Sequence, residues 1–294
     1  MLGMTYPSGR SLDYSYDAIG RITQMSTTNP ATSAASPNQA NPGQTQLLAT
    51  NIQYHPSVGG GGSPVKAYTL GNNQTITRTI DQDGRLASYT LASSPTTLTY
   101  DAASRIVSLI DTANPTNSTS YAYDNLDRLT QAILPTTTAP ANYSYGYDAT
   151  GNRTDKSAGS STSTLTIDPQ SNRIAQLSTS GGGTPVNRNF QYDPNGSTTA
   201  DGARQLSYDL RGRLIGATAV SSTATTGYQV NAMGQRVRKI AASASSPANP
   251  PLTANDTLYH YDAQGRLIAE TTPSGVLKKE YLYLQDLPVA VSVQ

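Results

Sequence analysis

The stretch Tyr208-Asp209-Leu210-Arg211-Gly212-Arg213-Leu214 decides how this chain is read, because it recurs. Close copies are Tyr16-Asp17-Ala18-Ile19-Gly20-Arg21-Ile22 and Tyr261-Asp262-Ala263-Gln264-Gly265-Arg266-Leu267. Looser copies begin at Ile80, Tyr100, Tyr123, Tyr147, Ile167, Tyr192 and Val230, and weaker ones at Tyr6 and Tyr54. Between Ile80 and Tyr261 they start 16 to 31 residues apart. A unit that returns at such a period marks a repeat architecture.

Each unit predicts a β-hairpin. Aromatic residues alternate before the turn, as in Tyr14/Tyr16, Tyr121/Tyr123, Tyr145/Tyr147, Phe190/Tyr192 and Tyr259/Tyr261. A period of two places both rings of a pair on one face of a strand. The Asp of the unit (Asp17, Asp81, Asp101, Asp124, Asp148, Asp193, Asp209, Asp262) can accept from the amide two residues on and start a turn. The Gly (Gly20, Gly84, Gly151, Gly196, Gly212, Gly234, Gly265) can take positive φ and close it with a bulge. The Arg then opens the returning strand, followed by Ile, Leu or Val. In Gly151-Asn152-Arg153 and Gly234-Gln235-Arg236 one residue is inserted before the Arg.

Between units lie stretches rich in Gly, Pro, Ser, Thr and Asn: 26–46, 59–64, 112–120, 135–140, 157–163, 181–185 and 241–250. They predict exposed loops at the opposite strand ends, not domain linkers, because the repeat resumes after each. No segment has a helical period. The expected fold is therefore all-β: stacked antiparallel hairpins over residues 1–294 as a single solenoid-like domain, curling because strand twist accumulates. One face should carry Tyr, Ile and Leu, and the other Thr, Ser and Gln.

Composition narrows the function. The 294 residues include 20 Lys+Arg against 19 Asp+Glu, no Cys, no Trp, and 19 Tyr to one Phe. Net charge near zero excludes the phosphate-holding surface of a nucleic-acid binder. Without Cys there is no disulfide, thiolate nucleophile or Cys-based metal centre. Only 13% of residues are charged, and Ser plus Thr make up about a quarter, which leans towards an extracellular β-protein. The Tyr-for-Phe bias suggests a wet or thin core. No apolar run approaches the ~20 residues of a membrane span, and the start carries no signal-peptide pattern.

These heptads resemble the hallmark of the Rhs/YD-repeat proteins: bacterial Rhs toxins, insecticidal toxin-complex shells and teneurins. The resemblance runs from Tyr6 to the C-terminus. It includes the order Tyr192-Asp193-Pro194-Asn195-Gly196, Asp201-Gly202, Tyr208 to Leu214, then Asn231 to Val237, and the closing Tyr281 to Ala290. It implies a sheet strip spiralling into a hollow shell, non-catalytic in itself and needing no cofactor, that encloses or scaffolds a toxin or effector module. It also implies secretion or cell-surface display, with the remaining Rhs core, the C-terminal toxin and possible export machinery as partners. The chain reaches Gln294 before the plug with paired Asp-Pro-x-Gly elements and the toxin that the family carries, so both are expected to be absent. Asp193-Pro194-Asn195-Gly196 sits in repeat register and is read as a turn.

No catalytic or metal-binding constellation stands out. His55 and His260 lack metal-ligand spacing, and strand alternation turns His260 away from Tyr259 and Tyr261. Asp81-Gln82-Asp83-Gly84 lacks the later ligands of a calcium loop. The motif carboxylates already have a turn-capping task. Ten arginines occupy the repeat position: Arg10, Arg21, Arg85, Arg105, Arg128, Arg153, Arg173, Arg213, Arg236 and Arg266. They are expected to pair with Asp across neighbouring hairpins and to stack on Tyr faces. The functional alternative is an extracellular glycan- or protein-binding module whose edge, Arg213 and Arg266 above all, contacts anionic glycans or a partner. A solenoid enzyme finds no support in the residues.

Overall fold

A computed structural model describes all residues except 1–2, 30–42, 57–62, 92–93, 136–141, 244–250 and 294. Among the described residues it contains twenty-six β-strands and one 3-10 turn, Pro115–Asn117. Within each sheet every strand is hydrogen-bonded to the one before it. The hairpins expected from the repeat are present, in two sheets: sixteen strands from Gly3–Thr5 to Val186–Asn189, and ten from Gln191–Tyr192 to Leu287–Val293. The break falls at Phe190. The chain divides into two compact units, one of residues 1–75 with 204–294 and one of residues 76–203.

The turn chemistry follows the heptad. Gly20, Gly84, Gly151, Gly196, Gly212, Gly234 and Gly265 all have positive φ, and Ser104, Asp127 and Asn172 take the same conformation where a unit lacks Gly. A register shift accompanies these turns at Tyr16, Tyr100, Tyr123, Tyr147, Tyr208 and Tyr261, the bulge that tightens local twist. At Gly212, φ is +73° and a Cβ would meet nothing within 4 Å, so only the backbone conformation opposes a side chain. Gly212→Val should therefore destabilise the fold by about 1–2 kcal/mol. An unchanged melting temperature would count against this turn geometry.

Several low-complexity stretches are strand rather than loop. Residues 157–163 were expected to be exposed connection, yet strands Arg153–Ala158 and Ser161–Ile167 fill them, joined by Gly159-Ser160. Serine and threonine here pair across strands, as in Ser157 with Thr162 at 3.3 Å, so the polar composition marks a solvated face. Strand Ile22–Thr28 and strand Thr45–Tyr54 likewise take both ends of 26–46. Strand Thr119–Tyr123 begins inside 112–120, and strand Arg236–Ser243 enters 241–250. Residues 181–185 do connect two strands. Most of 59–64 and 135–140 lies outside the described residues.

The two units bury side chains differently. Among the described residues of 76–203 the buried apolar side chains are Ile76, Leu98, Ala132 and Leu165. Register nonetheless sorts the faces: Tyr89, Leu98, Leu109, Tyr121, Tyr143 and Leu165 share one, and Thr79, Ser88, Thr99, Ser108, Ser144 and Ser157 the other. Hydroxyl pairs tie the polar face, Thr79 to Ser88 at 2.7 Å and Thr99 to Ser108 at 2.6 Å. The other unit has a dry core, in which Leu12, Met25, Ala49, Ala269 and Leu284 are fully buried. Its two ends meet: the Tyr6 hydroxyl donates to the Tyr281 carbonyl at 3.1 Å, and Tyr14 on strand Ser11–Tyr16 to the Tyr283 carbonyl on strand Leu277–Leu284 at 3.2 Å.

Candidate functional site

The Asp209 turn shows how the heptad is wired. The Asp209 amide donates to the Arg213 carbonyl, and the Gly212 amide donates back to the Asp209 carbonyl, each at 2.9 Å. Asp209 Oδ1 accepts from the amides of Arg211 and Arg213, both at 2.9 Å, and Oδ2 accepts from Arg213 Nε at 2.7 Å. The same carboxylate-to-Nε bond, 2.6 to 2.8 Å, joins Asp17 to Arg21, Asp81 to Arg85, Asp101 to Arg105, Asp124 to Arg128 and Asp262 to Arg266. The Arg213 amide, with its side chain, holds the Asp209 carboxyl below the usual range. Each Arg thus takes its first carboxylate from its own hairpin rather than from a neighbour, as the pairing expectation had it. Four residues of turn bring the two side chains together.

Contact with the next hairpin comes from the other side of the guanidinium. Nη1 of Arg128 donates to the Asp148 carbonyl at 3.0 Å, and Nη1 of Arg213 to the Asn231 carbonyl at 2.9 Å. Arg266 reaches the Gln285 carbonyl in the same way. Arg105 does pair with a neighbour's carboxylate, Asp127, at 2.6 Å. The guanidinium also lies over the tyrosine of the following unit: Arg21 over Tyr54, Arg85 over Tyr100, Arg105 over Tyr123, Arg128 over Tyr147, Arg173 over Tyr192 and Arg266 over Tyr283, at 4.4 to 5.4 Å. Each of those phenols donates backwards, at 2.7 to 3.0 Å, to the carbonyl of the residue just after that Arg: Ile22, Leu86, Ile106, Leu129, Ile174 and Leu267. Arg and Tyr form a lock from one repeat to the next.

This lock gives tyrosine a reason that a wet core does not. Phenylalanine could stack but would leave the carbonyl without its donor. Tyr123→Phe should cost about 0.5–1.5 kcal/mol, the net worth of one such hydrogen bond. Urea titration against the unchanged chain measures it, and no loss would mean that the stack alone holds the repeats.

Departures from the heptad obey the same geometry. Asn152, not Arg153, takes the Arg place: its amide donates to Asp148 Oδ1 and its side chain to Oδ2, both at 2.8 Å. That side chain, with burial opposing it, lowers the Asp148 carboxyl to about 2. Gln235, not Arg236, answers Asn231, whose Nδ2 donates to Gln235 Oε1 at 2.8 Å. Arg153 lies over Tyr145 instead, and Arg236 over Tyr259. Tyr261 donates to the Arg236 carbonyl at 2.9 Å. Asp193 caps its turn through the Ser197 amide at 2.8 Å, and Tyr208 pairs with Leu214 across the Asp209 turn. The early Tyr6 copy is displaced by one: Tyr6 stands where Asp belongs, donating its amide to the Arg10 carbonyl at 2.8 Å. That turn is at the other strand end from Asp17–Arg21.

The remaining polar candidates are held by neighbours. Asp81 and Asp83 both face Arg85, at 2.7 and 3.1 Å. His260 Nε2 is 2.9 Å from the Thr271 hydroxyl, and burial lowers its pKa. Two buried ion pairs escaped the repeat reading: Arg238 with Asp256, and Arg10 with Glu280.

A family model described as the teneurin YD-shell matches residues 63–242. The chain belongs to the teneurin YD-shell family. A structural, shell-type role follows from that membership. No curated protein matches the chain. Among solved structures it is similar to a chain of the "Crystal Structure of TcdB2-TccC3", with 13% identity and a TM-score of 0.49, over 99% of this chain and 18% of that one. It is also similar to a chain of the Photorhabdus luminescens Tc holotoxin pore, with 12% identity and a TM-score of 0.47, over 99% and 17%. This YD-shell chain therefore spans less than a fifth of those chains, and at such scores the likeness adds nothing to the family assignment.

Proposed function

We propose that the chain is a length of wall, non-catalytic in itself, in a secreted or surface-displayed β-shell that encloses or scaffolds a toxin or effector module. The observation that supports this reading is the sheet of residues 76–203, whose Tyr- and Leu-bearing face is matched by a Thr- and Ser-bearing one and whose fully buried apolar side chains are few. A half-buried tyrosine face is amphipathic and suits contact with a polypeptide that must be held without being gripped. The YD-shell membership points the same way.

Face-specific crosslinking tests it. An unfolded reporter polypeptide is fused after Gln294, and a photo-crosslinking residue is placed at Tyr121 or at Ser144. Crosslinks to the reporter from Tyr121 and not from Ser144 are expected. Equal yield from both faces, or none from Tyr121, would overturn the enclosing role. A second reading, an edge that contacts anionic glycans through Arg213 and Arg266, draws support from their guanidinium side chains, each 30% exposed. A glycan array read with both arginines changed to Ala separates the two readings.

A further inference from the structure

Seven arginines stand in the Arg place of a turn on the heptad side, and six carry a tyrosine from the following unit. The seventh is Arg213, whose following unit has Val230 at the tyrosine position. Arg213 is otherwise set like its siblings, with Nε on Asp209 at 2.7 Å and Nη1 on the Asn231 carbonyl at 2.9 Å. Val230 pairs with Arg236 across its hairpin, the register that Tyr100 has with Ile106 and Tyr147 with Arg153. What is missing is only the ring over the guanidinium and the phenol donor for the Leu214 carbonyl. At Asn152 the two partners are lost together, since Ile167 replaces the Tyr, whereas Gln235 loses the Arg and Tyr261 is kept. At Arg213 the arginine has been kept without its tyrosine.

The space shows in the fold. A cavity of about 780 Å³ opens there, lined by Asp209, Arg213, Ile215, Tyr228, Val230 and Val237 among others. It lies within the ~300–1,000 Å³ range of small-ligand clefts. A planar guanidinium for stacking and a carbonyl acceptor just after it are what six tyrosines find at the equivalent places, and here Ile215, Val230 and Val237 add apolar surface beside Arg213.

We propose that this vacant tyrosine socket binds a phenol, ring on Arg213 and hydroxyl donating to the Leu214 carbonyl, supplied either by a tyrosine of another polypeptide or by a free phenolic molecule. The proposal does not depend on the shell reading.

Nuclear magnetic resonance titration of the full chain with p-cresol, toluene and the peptide Gly-Gly-Tyr-Gly-Gly tests it. Saturable binding of p-cresol is expected, about tenfold tighter than toluene, because only the phenol can donate to the Leu214 carbonyl. Val230→Tyr should fill the socket from within, raise the melting temperature and abolish p-cresol binding. Arg213→Lys, which keeps the charge and loses the flat face, should weaken binding without filling the socket, and so gives an independent reading. Tighter binding of the peptide assigns the socket to a partner's tyrosine, and tighter binding of p-cresol to a small phenol. No saturable binding of either, or binding that survives V230Y undiminished, would overturn the proposal.

Discussion

Asp256→Ala should destabilise the unit of residues 1–75 and 204–294 by about 3–5 kcal/mol, because it leaves a buried guanidinium without its charge partner. Asp256 is fully buried and Arg238 is 4% exposed. The carboxylate accepts from Arg238 Nε at 2.9 Å, from the amides of Ala241 and Thr253 at 3.0 Å, and from the Thr253 hydroxyl at 2.8 Å. Burial pushes this carboxyl up, but the two amides, Arg238 and the hydroxyl outweigh it and hold the group far below the ordinary 3.8. A depressed carboxyl contributes stability above its unfolded value and loses it as the pH falls towards the folded one. Acid should therefore weaken the unchanged chain below about pH 4, and Asp256→Asn should flatten that part of the curve. Urea unfolding at pH 7 gives the size of the effect; a loss under about 1 kcal/mol would mean that Arg238 finds water instead.

The second large effect has the opposite pH sense. Glu280 is fully buried on a strand whose other buried residues are Leu277, Leu282 and Leu284. Its Oε2 accepts from the Ser8 hydroxyl at 3.1 Å and stands 3.2 Å from Arg10 Nε, while Oε1 is buried without a hydrogen-bond partner. Burial raises the Glu280 carboxyl above its ordinary 4.5, exceeding the Ser8 hydrogen bond and the Arg10 charge that lower it. A raised folded value means that protons favour the native state. Stability from this group is full below the ordinary value and is lost as the pH rises through the raised one. Arg10→Leu removes the charge that opposes that loss, and at pH 7 should cost about 3–5 kcal/mol. Glu280→Gln in the same background should restore most of it, since the amide carries no charge to bury. Failure of that rescue would show that Arg10 matters for packing and not for the pair.

The hairpin was legible because its cause is local. Asp209, Gly212 and Arg213 lie within five residues, and the turn needs only their chemistry. Face assignment followed from alternation, as Tyr121 and Tyr123 show. What could not be read needed distance. Arg10 and Glu280 are 270 positions apart, so no spacing rule links them. The stretch 157–163 misled because composition says "polar", and a hairpin joined by Gly159-Ser160 with one solvated face is equally polar. By sequence Asn152 and Gln235 read as insertions before the Arg, yet they stand in its place. Counting four residues from Asp148 and Asn231 finds them. The repeat-to-repeat lock left a trace as well: Arg85 precedes Tyr100, Arg105 precedes Tyr123 and Arg128 precedes Tyr147, whereas Asn152 precedes Ile167.

That lock ties each hairpin to the next, and a double-mutant cycle measures it most directly. Arg128→Gln, Tyr147→Phe and the double variant are compared by urea unfolding, with 4.7 Å between guanidinium and ring and 2.8 Å from phenol to the Leu129 carbonyl as the contacts at issue. A coupling energy of about 0.5–2 kcal/mol is expected between them. Strictly additive losses would contradict the lock and leave backbone pairing alone to hold repeat to repeat.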